Sequence, residues 1–220
     1  MKRARLALLA TALLALVITV AYRPAHAGLI TGSVSLDTSA LSGSFELAFI
    51  FTDGSATGDA NNTVTLSNFL FGVGGSAGSV DTVLSTGGVS GDLSTGVSLV
   101  DSAFLNIFAS SFTPGSLLSF DFGLTTNVDA GGTPDQLSLA LLNSDGTVVN
   151  TEDPSNANSL LTVNIDSANP AISAFASDLT PAPIVTESVV VPEPPGLLLL
   201  ITGLVGALSV RQCRRRSCVL

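Results

Sequence analysis

Large apolar side chains alternate with polar or small ones through the middle of this chain. The pattern is clearest in residues 45–51 and 118–124, and it continues in residues 137–141 and 161–165. A period of two places successive side chains on opposite faces of a β-strand, so one face is buried and the other is wet. These segments are therefore predicted to be strands of an antiparallel sheet.

The segments between these strands have the character of turns. The alternation changes phase between Leu66 and Phe69, as a β-bulge would require. Asp145-Gly146 favours a hairpin turn, and glycine-rich breaks recur at residues 72–78, 87–91 and 131–132. Roughly eight to ten short strands at this spacing predict an all-β fold, an antiparallel, jelly-roll-like β-sandwich over residues 28–180. A β-helix or repeat solenoid is the alternative, although the sequence has no fixed period.

Both ends of the chain differ from this domain. Residues 1–27 combine a basic start, an apolar segment at 6–20 and the small residues Ala25 and Ala27 before Gly28. This is the pattern of a secretory signal peptide with cleavage before Gly28, and an uncleaved N-terminal anchor is the alternative. Residues 181–191, rich in proline and small residues, are predicted to form an extended linker, with a last edge strand at 184–191 as the alternative.

The C-terminal segment, residues 192–220, contains three signals in order. They are the motif Pro192, Glu193 and Pro194, an apolar helix at 196–210 and a basic tail at 211–220 with Arg211, Arg214, Arg215 and Arg216. The 15-residue helix is shorter than the ~20 residues of a stable membrane span, and the arginines hold the tail at the cytoplasmic face. A transient anchor in the inner membrane is expected, with a permanent C-terminal anchor as the alternative.

This tripartite tail resembles the PEP-CTERM sorting signal of Gram-negative bacteria. The resemblance covers about the last 30 residues of the chain and implies that Pro192, Glu193 and Pro194 are recognised by an exosortase, which removes the tail. It also implies that signal peptidase and exosortase are processing partners, and that the mature domain reaches the cell surface or extracellular matrix. It implies no activity for that domain.

The charge of the exported domain excludes several functions. All 17 acidic residues lie within 28–195, whereas all eight lysines and arginines lie outside that range. The same range contains no His, Cys, Trp or Tyr. Nucleic acid is therefore excluded as a partner, and so are a Ser-His-Asp triad, a cysteine nucleophile, a Schiff base and a His-ligated metal. We expect no enzyme activity and no organic cofactor.

Oxygen-rich loops at residues 53–62 and 126–135 are the remaining candidate site. Calcium takes six to eight oxygen ligands, and the unopposed negative charge favours a divalent cation. The candidate ligands are Asp53, Asp59, Asn61, Asp129 and Asp135. The alternative is that these loops are solvated turns in which Asp and Asn satisfy the local backbone.

Three classes of function remain for the exported domain. The first is a non-catalytic surface or matrix protein associated with exopolysaccharide or biofilm. The second is a carbohydrate-binding module that could require calcium, although it lacks the Trp and Tyr on which sugars usually stack. The third is a two-carboxylate glycoside hydrolase, which needs a pair such as Glu46 and Asp121 in one cleft. The first class is the predicted function.

Overall fold

The computed structural model describes residues 28–128, 133–155, 157–167 and 170–190. In this part of the chain it contains twelve β-strands and no α-helix. The strands are β1 (Gly28–Asp37), β2 (Phe45–Thr52), β3 (Thr63–Leu70), β4 (Ser76–Val80), β5 (Gly88–Asp92), β6 (Gly96–Val100), β7 (Leu105–Thr113), β8 (Leu117–Thr126), β9 (Asp135–Asn143), β10 (Leu161–Ile165), β11 (Ile172–Ala174) and β12 (Ile184–Val190).

The strands form two six-stranded sheets. The first sheet has the order β12-β1-β8-β3-β6-β5, and the second has the order β11-β10-β9-β2-β7-β4. Every strand pair is antiparallel. The prediction of an all-β, antiparallel fold is confirmed.

One hydrophobic core joins the inner faces of the two sheets. Along β8, Leu118, Phe120, Phe122 and Leu124 are buried, while the residues between them are partly exposed. Phe120 packs edge-on against Phe49 of β2, with ring centroids 5.4 Å apart. Each buried side chain of this size stabilises the fold by ~1.5–3 kcal/mol. The period-two pattern therefore determines which face of each sheet is buried. Burial of these inward side chains joins the two sheets as a β-sandwich.

Two local predictions are confirmed. The register between β3 and β8 shifts between Ser67 and Leu70, so the change of phase in the sequence is a β-bulge. Asp145-Gly146 forms the turn after β9, where Gly146 has a φ of 81° and the Asn143 N–H donates to the Thr147 carbonyl at 2.8 Å. Asp-Gly suits this turn because glycine adopts positive φ without steric cost.

Two other predictions require correction. The glycine-rich segments 72–78 and 87–91 were expected to be breaks, yet β4 and β5 begin within them, because these strands pair with β7 and β6 through backbone hydrogen bonds that need no large side chain. Residues 184–190 form β12 rather than a free linker, because their β-branched residues extend along the open edge of β1. The alternative of a last edge strand holds there.

Several sequence predictions concern residues outside the described ranges. These are the signal peptide at 1–27 with Ala25 and Ala27, and the sorting signal at 192–220 with its Pro-Glu-Pro motif, helix and arginines. Within the described ranges, no helix has the length and apolar character needed to span a membrane.

Candidate functional site

The loop that precedes β3 and the loop that follows β8 meet at one end of the sandwich, around Asn62. This residue precedes β3 and is fully buried. Its side-chain amide donates to Asp135 Oδ2 at 2.7 Å and to the Asn127 carbonyl at 2.8 Å. Its side-chain oxygen accepts from the Asn127 N–H at 2.8 Å and the Thr125 hydroxyl at 3.2 Å. The side chain therefore ties the two predicted loops together.

Asp135, at the start of β9, is one of the predicted ligands and lies in this junction. It is 2% exposed. Its Oδ1 accepts from the Gly54 N–H at 2.8 Å, in addition to the bond from Asn62 to Oδ2. A Cβ on Gly54 would lie 1.8 Å from the Thr133 carbonyl oxygen, so only glycine permits this approach.

A second buried carboxylate, Asp101, lies beside Asp135. It directly follows β6, is fully buried and accepts the Asn62 backbone N–H with both oxygens, at 3.1 and 3.0 Å. Burial raises the pKa of Asp101 to about 7, against the Asn62 hydrogen bond, and the neighbouring carboxyl groups of Asp135 and Asp59 add to the rise. Two buried carboxyl groups with no cation in residues 28–195 favour holding a proton between them. We call Asn62, Asp101 and Asp135 the carboxylate cluster.

The other predicted ligands either accept hydrogen bonds from their own loop or lie outside the described residues. Asp53 is buried, and its Oδ1 accepts from the Ser55 N–H at 2.7 Å while its Oδ2 accepts from the Gly58 N–H. Burial alone would raise the pKa of Asp53, but the hydrogen bonds from Ser55, Gly58 and Ala56 outweigh it and lower the pKa.

Asp59 is exposed and accepts from the backbone N–H of Asn61 at 3.2 Å and from its side-chain amide at 3.0 Å. The Asn61 carbonyl in turn accepts from the Asn127 side-chain amide. Asp129 lies in residues 129–132, outside the described ranges. Among the described residues, no group of three or more acidic side chains is arranged to hold a metal ion. Calcium binding stays a prediction.

Sequence reasoning missed Asp101 and the central role of Asn62. Asp101 lies 39 positions from Asn62, and only the pairing of β3 with β6 brings the two together. The sequence signal that could have found them is that Asn62 directly precedes a strand and Asp101 directly follows one.

A groove on the outer face of the first sheet is a second candidate site. It has a volume of about 520 Å³ and is lined chiefly by hydroxyl, glycine and acidic residues of β1, β3, β8 and β12. Its lining includes Thr31, Thr65, Asp121, Gly123 and Glu187. We call it the hydroxyl groove.

The carboxylate pair considered for glycoside hydrolysis is not assembled. Glu46 projects from the outer face of the second sheet and Asp121 from the outer face of the first, so the core separates them. Glu46 instead lies next to Asp81 in a groove of about 340 Å³. Burial raises the pKa of Glu46, and the charge and hydrogen bonding of Asp81 add to it.

Comparison with known proteins adds no identification. The chain matches no protein-family model, no curated protein and no solved structure. The functional argument therefore depends on the sequence, the fold and these two sites.

Proposed function

We propose that this chain is exported across the inner membrane of a Gram-negative bacterium and sorted by an exosortase to the cell surface or extracellular matrix. There its β-sandwich is a non-catalytic structural body, associated with exopolysaccharide in the matrix. The observation that carries the proposal is the segregation of charge, with all 17 acidic residues between 28 and 195 and all eight cations outside. Cations at both ends hold flanking segments on the cytoplasmic side while the acidic domain crosses.

The strand order supports a jelly-roll-like interpretation of the sandwich. The first sheet contains the run β1-β8-β3-β6, and the second contains the run β2-β7-β4. Two-sheet jelly rolls occur in viral capsid domains, lectin domains and cupins. The fold alone does not select a function, so the proposal depends on the segregation of charge and not on the strand order.

Processing in the native host tests this proposal. The full chain should yield a mature form that starts at Gly28 and ends close to Pro194, as measured by intact mass in the matrix fraction. A Glu193→Ala variant should keep its arginine tail and stay in the inner membrane. A Glu152→Ala variant is the matched control, because it changes an exposed carboxylate outside both the sorting motif and the hydroxyl groove. A major form that still carries Arg214, Arg215 and Arg216 would contradict exosortase sorting.

Carbohydrate binding is the second candidate function, and the hydroxyl groove favours it. The groove combines hydroxyl groups, which donate and accept hydrogen bonds, with the carboxylates of Asp121 and Glu187, which accept them. Its volume falls within the ~300–1,000 Å³ range of ligand pockets. This function is compatible with the first, because a matrix protein can be retained by the polysaccharide that it binds.

A further inference from the structure

Gly123 of β8 lines the hydroxyl groove. In the strand register, Gly123 lies opposite Thr31 of β1 on one side and Thr65 of β3 on the other. The next residue along β8, Leu124, is buried in the core, so position 123 faces outward. Because Gly123 has no side chain, its backbone is half-exposed between two threonines in the middle of the sheet.

Folding does not require glycine at this position. Gly123 is not among the residues with positive φ. A Cβ added there would meet the Thr65 hydroxyl at 2.8 Å and then Leu29 Cδ1 at 4.0 Å, and the hydroxyl can rotate away. Glycine weakens the interior of a strand and often marks a place where a ligand approaches the backbone. The close contact is with the Thr65 hydroxyl on the solvent face, and a ligand that approaches the backbone there is a further reason for glycine.

A strained residue orients the neighbouring carboxylate. Asp121 lies two residues before Gly123 on the same face, and its Oδ2 accepts from the Asn68 side-chain amide at 2.7 Å. Asn68 lies in the β-bulge of β3 and has a φ of 56°. Bulges and left-handed residues of this kind often redirect side chains at binding sites. Among the described residues nothing donates a hydrogen bond to Asp121 Oδ1, so this oxygen can accept one from a ligand.

The chemistry of the groove restricts the ligand. Anionic polymers are repelled, because residues 28–195 contain 17 acidic residues and no Lys or Arg. Hydroxyl and carboxylate groups at the surface match the hydroxyl groups of a sugar. The geometry points to an uncharged polysaccharide bound in the hydroxyl groove, with Asp121 accepting hydrogen bonds from its hydroxyl groups and Gly123 admitting it between Thr31 and Thr65. This inference rests on the second candidate function above.

Affinity electrophoresis of the mature protein tests the inference. The gels contain one of three uncharged probes (dextran, galactomannan or mixed-linkage glucan), an anionic one (alginate) or a cationic one (chitosan oligomers). At least one uncharged probe should retard the protein. Gly123→Val covers this backbone and should weaken binding at least about tenfold. The melting temperature should change little, because the strand preference of valine offsets the cost of rotating the Thr65 hydroxyl away. Asp121→Asn should weaken binding about tenfold through loss of a charge-assisted hydrogen bond.

Two matched controls should bind like the parent protein. Thr162→Val changes an outward threonine of β10 on the other sheet, and Asp166→Asn removes an exposed carboxylate after β10. Thr65→Val provides a second test of the groove if Gly123→Val fails to fold.

Lack of retardation by every uncharged probe would overturn the inference, and so would retardation by chitosan alone. Parent-like binding by a folded Gly123→Val variant would also overturn it. None of these outcomes would contradict the sorting proposal, which is tested separately by the intact mass of the processed protein.

Discussion

The carboxylate cluster makes a specific prediction about stability and pH. The pKa of Asp101 rises from 3.8 to about 7 in the fold, so the folded state binds a proton that the unfolded state has released. The stabilisation from this proton is fully present below pH 3.8 and is lost as the pH rises through about 7. This group alone therefore makes the protein less stable at pH 8 than at pH 4.

The substitution Asp101→Asn isolates this effect. An asparagine keeps an oxygen for the Asn62 N–H and offers an N–H to Asp135, as the protonated acid does. The shift corresponds to about 4 kcal/mol without screening, and the position of the cluster at the loop end of the sandwich reduces this to about 2 kcal/mol. At pH 8 the variant should therefore be more stable than the parent by ~2 kcal/mol, or ~4–8 °C in melting temperature. At pH 4 the two should be equal.

Urea unfolding of the mature protein between pH 4 and 8 measures the difference. Asp53→Asn is the control of opposite sign. Hydrogen bonds lower the pKa of Asp53, so its carboxylate stabilises the fold above pH 3.8, and the variant should lose stability at pH 8. Parallel pH profiles for the parent and Asp101→Asn would refute the shared-proton argument. A loss of stability in Asp101→Asn at pH 8, with the parent alone stabilised by calcium, would assign a bound cation to the pair.

Four further predictions follow from the fold and its sites. Phe49→Ala should lower the free energy of unfolding by ~3–5 kcal/mol, measured in urea, whereas Ile50→Ala, outside the main core, should cost less. Gly54→Ala should destabilise the fold by more than ~1 kcal/mol because its Cβ collides with the Thr133 carbonyl, whereas Gly123→Ala should cost less, because its Cβ meets only the Thr65 hydroxyl, which can rotate. If the two loops bind calcium, millimolar calcium should raise the melting temperature above that in sodium of matched ionic strength, with a gain in stability of ~2.7 kcal/mol at a hundredfold excess over Kd, and Asp129→Asn with Asp135→Asn should abolish the difference; equal melting points in the two salts would leave the loops as plain turns. Polysaccharides, esters and peptides should show no turnover above background, and turnover abolished by Glu46→Gln or Asp121→Asn would contradict the non-catalytic function.

The period-two pattern predicted the strands that carry large side chains, because burial of those side chains is what selects the inner face. The strands β4 and β5 were not predictable in this way. Their residues are small, and they form strands because β7 and β6 present backbone partners to them. The local sequence does not show which distant strands will pair with it.

The candidate sites were predictable only in part. Composition singled out the loops at 53–62 and 126–135 as a calcium site, and the structure joins these loops through Asn62 and Asp135. Composition could not show that Asp53 binds its own loop, because that depends on the direction of its side chain. The outward direction of Gly123 was predictable from the alternation of apolar and polar or small residues along 118–124. Its position between two threonines was not, because it depends on the register of three strands.

The pairing of β1 with β12 also sets the order in which the domain can be completed. β1 is the first of the described strands to be synthesised and β12 is the last, yet they are neighbours in the first sheet. Until β12 emerges, one edge of β1 exposes unpaired N–H and C=O groups, which are a template for strands of other chains. Truncated products that end before residue 184 should therefore self-associate through β1, even though their core residues are already present.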